Sequence, residues 1–317
     1  NLSVNLDMFY ETDNSESLLV NTTEIDEKTL QTVAFSLNNQ LSSSKKISTF
    51  YTFNKLNQDL DNSTTDDLNY VVDSDQHLGS IQYDWISNSK VYSNIGYTKT
   101  VTKRDYTNTP DSSSDVNERD ARYESNIDKL FLNTKYKLNA KNNIVYGADV
   151  TYETGKFVDN GVSSWGAYQS NQGSKDQIQA STFGQYYNEN KFLSAQIGSR
   201  LVYYADDKLI ATYAASLFRQ IPFINTTALV NFRSGYRPGS LYERFNSSVG
   251  NNQLDAETSL TTEYSLLKTV AFSQVKVSYF KNFIDNSIEY NNSTFKYYNS
   301  DEQTKPSGLE LSIQTNP

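Results

Sequence analysis

The feature that most constrains this chain is a period-two alternation of apolar and polar residues that recurs along its length. Leu2, Val4, Leu6, Met8 and Tyr10 alternate with Ser3, Asn5 and Asp7, and Ile47, Thr49, Tyr51 and Phe53 repeat the pattern after Lys45 and Lys46. It returns at Val91/Ile95/Tyr97, Leu130/Leu132/Tyr136/Leu138, Leu193/Ala195/Ile197/Leu201, Leu209/Ala211/Tyr213/Ala215/Leu217, Val275/Val277/Tyr279 and Leu309/Leu311/Ile313. Side chains two apart share one face of a strand, so each segment predicts a strand with one apolar and one polar face. No apolar run reaches the ~18 residues of a membrane-spanning helix.

Composition decides what such strands can build. Only 37% of the 317 residues are hydrophobic, which is little for a soluble β-sandwich or propeller of this size. A membrane barrel needs apolar residues only on its lipid face, while its lumen and loops stay wet. The 24 tyrosines and the scarcity of Pro suit pleated strands and argue against disorder. No repeat of fixed length supports a propeller.

The connections carry the same message. Short turns fall near 42–44, 87–89, 139–142, 188–190, 220–222 and 271–273, and between them lie long polar stretches at roughly 11–28, 56–76, 103–122, 157–176 and 234–258. Short turns at one end and long loops at the other are the asymmetry of an outer-membrane barrel. About fourteen strands are expected, with Tyr97, Tyr136, Tyr203 and Tyr279 as girdle residues. Residues 1–10 have no signal-peptide pattern, so an exported barrel needs its signal upstream.

The net charge of −9 excludes a nucleic-acid footprint, and acidic loops point to cations. His77 is the only histidine; Asp73 and Asp75 stand near it, but there is no Gly-x-Ser-x-Gly element and no zinc spacing, so no enzyme is expected. Tyrosine at girdles needs no haem-ligand role.

From 228 to 313 the motifs become specific. Arg237-Pro238, Gly250-Asn251, Leu254 and Ala256-Glu257 are followed by Phe283, Ile284, Asp285, Tyr297, Tyr298, Asn299, Gly308 and Glu310. In this order they resemble the TonB-dependent receptors of the Gram-negative outer membrane, with Ala256 where the family has proline. The resemblance implies an all-β fold, an antiparallel transmembrane β-barrel of twenty-two strands, of which 1–317 would form strands three to sixteen. It places the plug domain and the last strands outside this sequence. It also implies TonB-dependent uptake of a scarce nutrient, TonB acting through the plug, and outer-membrane lipid around the wall.

Within the family the first two long loops are most similar to those of cobalamin receptors, which bind calcium there. The matching acids are Asp13, Glu24, Asp26, Asp59 or Asp61, and Asp73, with Glu24 replacing an Asp and Thr22 an amide ligand. Calcium takes six to eight oxygen ligands in flexible geometry, which suits carboxylates converging from two loops. Asp66, Asp67 and Asp75 read as solvated charges, and Asn62 and Ser114 are the expected ligand contacts. Ferric siderophore uptake is the alternative cargo; a passive porin or a barrel hydrolase fits less well.

Overall fold

The computed structural model describes residues 2–16, 25–61, 67, 69–111, 115–204, 208–270 and 272–315. Fourteen strands form one antiparallel sheet in chain order: β1 (Leu2–Glu16), β2 (Ile25–Ser42), β3 (Lys45–Asp59), β4 (Val71–Asn88), β5 (Val91–Asn108), β6 (Glu118–Lys137), β7 (Asn142–Ser163), β8 (Gly166–Asn188), β9 (Leu193–Tyr204), β10 (Lys208–Ile221), β11 (Thr226–Arg237), β12 (Glu257–Val270), β13 (Ser273–Asp285) and β16 (Ser307–Thr315). A short helix, α1 (Leu241–Phe245), lies between β11 and β12, and a small hairpin of β14 (Ile288–Asn291) and β15 (Lys296–Asn299) precedes β16. β1 and β16 are the two sheet edges.

Register shows how the alternation becomes a two-faced wall. Val4, Leu37, Thr49, Ile81, Tyr97, Leu130, Val150, Ala180, Tyr203 and Leu209 are successive cross-strand neighbours from β1 to β10. The row one residue away runs Asn5, Ser36, Phe50, Ser80, Thr98, Lys129, Thr151, Gln179, Tyr204 and Lys208 and is mostly polar. The apolar row belongs to the outer face, where Leu130, Leu132, Ile197 and Leu209 are exposed as a lipid-facing wall requires. Polar groups on that face satisfy one another: the buried Ser93 and Thr134 hydroxyls meet at 3.0 Å.

On the inner face, rings fill the space over glycines on the neighbouring strand. Phe131 covers Gly96, Phe183 covers Gly147, and Phe280 covers Gly308, each pair directly in register. A Cβ at these glycines would run into the ring, so the missing side chain is what lets the ring lie flat on the strand.

The short turns fall where the sequence places them, at 43–44, 89–90, 138–141, 189–192 and 222–225, and β12 and β13 are likewise separated by only two residues. At the opposite end the structure corrects one expectation. Residues 157–176 are not a long loop but the outer half of a ladder in which Val158 pairs with Asn171 and Val162 with Ala167. β7 and β8 therefore reach 22 and 23 residues, closing through a turn in which Gly166 takes φ +108°. Tyr97 and Tyr279 sit in mid-strand rather than at strand ends.

Beyond the apolar zone the outer face changes chemistry. Lys55, Asp75, Lys103, Glu124 and Lys156 are cross-strand neighbours on β3 to β7, a row of alternating sign. Opposite charges directly across a ladder stabilise pairing where lipid no longer covers it. This side of the rim stands above the membrane as a tall blade, whereas β9 and β10 end early, at Tyr204 and Lys208.

Candidate functional site at the outward mouth

The blade's inner face carries an arginine at the outer end of β6. Arg119 donates through Nε and Nη2 to Asp159 of β7 at 3.2 and 2.7 Å, and through Nη1 to the Tyr70 hydroxyl at 2.6 Å. The Asp159 carboxylate also accepts from the Tyr123 hydroxyl at 2.6 Å and the Tyr168 hydroxyl at 3.4 Å. A two-point guanidinium–carboxylate contact fixes the plane of the arginine. Its Cζ lies 4.9 Å from the Tyr106 ring centroid, within cation–π range. Burial works against the Arg119 charge, but Asp159 outweighs it and its pKa moves up; burial first and Asp159 second push the Tyr123 phenol up as well.

Above this pair the rings form a continuous surface. Tyr123 lies 5.7 Å from Tyr106, 5.9 Å from Phe157 and 6.1 Å from Tyr242; Tyr242 lies 6.3 Å from Tyr297, which in turn lies 5.3 Å from Tyr290. These rings come from β5, β6, β7, α1, β15 and β14, brought together by loops that fold inward.

The inward fold has a local origin. β10 and β11 pair from Ile221/Thr226 to Ala214/Arg233 and then part, the Ser234 hydroxyl accepting from the Tyr213 amide at 2.8 Å in place of the next ladder bond. Past that point β11 leans over the inner face, and Tyr236 hydrogen-bonds Gln179 and lies 6.2 Å from Tyr204. α1 follows with a capping box: Glu243 N donates to Ser240 Oγ at 3.2 Å, and Ser240 N to Glu243 Oε2 at 2.7 Å. Its Leu241 is 2% exposed and packs where Gly155 of β7 has no side chain.

Arg237 ties α1 to β12 by donating to Glu243 at 2.9 Å and to Glu257. Glu257 also receives the Ile288 amide at 2.8 Å. Burial alone would raise the Glu257 pKa, yet Arg237 and that amide hold it below the usual carboxylate range. Lower on the inner face, Asp149 accepts from Arg200 at 2.5 Å and Ser181 at 2.8 Å, with Lys129 at 3.6 Å. A second group gathers Glu263 with Lys276 at 3.1 Å and Ser265 at 2.8 Å.

The residues expected from sequence are placed differently. Asn62, Ser114, Glu24 and Thr22 lie outside the described residues. Asp13, in register with Lys28, and Asp26, in register with Ser15, belong to inner-face positions, whereas Asp59 and Asp73 occupy outer-face positions. Asp59 accepts the Glu27 amide at 2.9 Å and Asp73 the Asn57 side chain at 2.9 Å. Asp61 lies two residues past the end of β3. Among the described residues no three His, Asp or Glu side chains gather closely enough to hold a metal, and the expected set also includes Glu24, which lies outside them. His77 is occupied structurally, its Nδ1 2.8 Å from the Tyr51 hydroxyl and its ring 4.8 Å from that of Phe53.

Arg119 and Asp159 do not stand out in sequence, because they meet only through the β6–β7 register, whereas Arg237, Glu257 and Tyr297 belong to the motifs read from it. The Ser240-to-Glu243 spacing is a further local signal that points to this region.

An antiparallel wall with an apolar outer face, a polar inner face and loops folded into one mouth is that of an outer-membrane β-barrel protein. Residues 14–316 match the family described as TonB dependent receptor-like, beta-barrel, and the chain belongs to it. Its place is the outer membrane of a Gram-negative bacterium. No curated protein matches the chain in sequence. Among solved structures, the copper transporter OprC superposes with a TM-score of 0.77 at 11% identity, over 100% of this chain and 54% of that one. The siderophore receptor PirA from Acinetobacter baumannii gives 0.77 at 12% identity, over 99% and 55%. The RagAB peptide importer gives 0.71 at 10% identity, over 99% and 46%. The chain thus spans about half the length of the structures it matches. Their names are those of transporters and receptors, not enzymes, and their different cargoes show that the wall does not define the cargo.

Proposed function

We propose that this chain forms much of the wall and outward mouth of a receptor that takes up a scarce, bulky nutrient, with TonB supplying energy through a domain seated in the lumen. The observation that carries this reading is the mouth: six rings from six elements arranged over the Arg119–Asp159 pair on the lumenal side. Rings held by packing give contact area at little entropic cost, and the arginine and tyrosine groups orient a polar ligand.

Cobalamin is the cargo we infer, on the resemblance of the first two long loops to cobalamin receptors. A ferric siderophore is the second reading, favoured by the superposition on PirA. Titration calorimetry on the full-length protein in detergent separates them. Binding of cyanocobalamin without binding of iron chelates supports the first; the reverse supports the second and removes the first. A chelator arm carries the calcium expectation: affinity that falls with EDTA and returns with calcium supports loop ordering by the metal, and unchanged affinity rejects it.

A further inference from the structure

Among the described residues, the tall β7–β8 hairpin has an edge that no other strand covers. β9 pairs with β8 only from Gln179/Tyr204 to Asn188/Ala195, so 166–172 and 175–178 pair with β7 alone, with 173–174 in a bulge between them. Among the described residues, no backbone hydrogen bond joins 167–178 to any element other than β7. The β11–β12 connection approaches this stretch only through side chains: Ser170 Oγ lies 3.4 Å from Asn246 Oδ1 and 3.2 Å from Ser247 Oγ, and Lys175 Nζ lies 5.7 Å from the Phe245 ring centroid.

Edge strands in water are normally protected by charges, by proline or by being very short. This one has no charge and no proline over nine residues, Gly166, Ala167, Tyr168, Gln169, Ser170, Asn171, Gln172, Gly173 and Ser174; it is broken only by a bulge at 173–174, and the side chains of Ser170 and Gln172 are buried while the others stand exposed. The outer face of the same blade is densely charged, as the row from Lys55 to Lys156 shows. An uncharged edge whose main chain pairs with no further strand, beside so charged a surface, is a template for one more strand.

A cavity of about 440 Å³ opens beside the lower end of this edge, lined by Lys175, Arg244, Phe245, the 250–253 segment and Lys296. Its described lining contains no carboxylate, although the protein as a whole carries −9. The exposed Lys175 and Lys296 supply the charge that selects what enters. We propose that the β8 edge binds an extended peptide segment of a partner as an added strand, with an acidic side chain of that segment seated in the Lys175/Lys296 cavity. Main-chain bonds along 167–174 provide affinity, and the cavity provides the preference for an acid.

The test uses the full-length protein in lipid nanodiscs and two fluorescein-labelled octapeptides of alternating Thr and Val, one with a central Glu and one with a central Lys. Anisotropy should show the Glu peptide binding at least about tenfold more tightly than the Lys peptide, and hydrogen exchange should slow at the 167–174 amides when it binds. In the K175E/K296E variant the preference should invert; both lysines are exposed, so the fold is kept. A second variant, Asn171→Lys, places a charge on the edge and should weaken both peptides alike. Absence of binding by either peptide, a preference unmoved by K175E/K296E, or protection elsewhere than 167–174 would overturn the proposal. Nutrient binding retained in both variants keeps this test separate from that of the uptake reading.

Discussion

Asp159 shows how much of the mouth depends on single side chains, since its carboxylate receives Arg119, Tyr123 and Tyr168 at once. Asp159→Asn keeps the shape but removes the charge facing a half-buried guanidinium, and the expected cost is about 1–3 kcal/mol. It should appear as faster hydrogen exchange at the outer ends of β6 and β7, with the rest of the wall unchanged. Gly147→Ala tests a different kind of necessity. The added methyl would strike both the Leu132 carbonyl and the Phe183 ring, and overpacking of this sort costs about 1–3 kcal/mol. Denaturant midpoints in lipid vesicles should fall accordingly, and a variant as stable as the parent would disprove the ring-over-glycine account. These residue partnerships are poorly legible in sequence. Gly147 and Phe183 are 36 positions apart and read as an ordinary turn-former and an ordinary apolar residue until register joins them.

At the level of elements, strands and turns follow from the alternation because each position meets either lipid or lumen, and the chain records that choice residue by residue. Residues 157–176 escape this logic: above the membrane both faces are wet, so a polar stretch looks like loop whether or not it pairs. The inward path of α1 is equally hidden, since it depends on β11 leaving β10 at Ser234. Its anchor gives a pH prediction. Glu257 is held below its ordinary pKa, so its contribution is present above the unfolded value of about 4.3 and is lost as pH falls through the lower folded value. Limited proteolysis of the 238–256 connection should therefore be steady from pH 7 to 5 and quicken only below about pH 4. Glu257→Gln should make cleavage fast at every pH; if acid sensitivity survived in that variant, another group would be responsible.

For the whole molecule, the separation of an apolar outer face from a polar inner one makes the two sides respond differently to the same change. Leu132→Arg, on the exposed outer row, should cost about 2–4 kcal/mol if it sits at mid-membrane. Phe50→Arg, on the inner row, should cost much less, because its surroundings are polar. Refolding yield into vesicles measures both, and equal losses would contradict the assignment of faces.

The strict chain order of the sheet has a consequence for severed molecules. Every strand of the wall is held by its immediate neighbours in that order, and the seam between any two hairpins is a complete ladder in its own right. A cut in an outward connection such as 109–117 removes no ladder bond, so two separately made halves carry matching edges along β5 and β6. Co-expressed halves divided there should find each other in the membrane and restore one wall, which makes this fold a natural candidate for split-protein complementation.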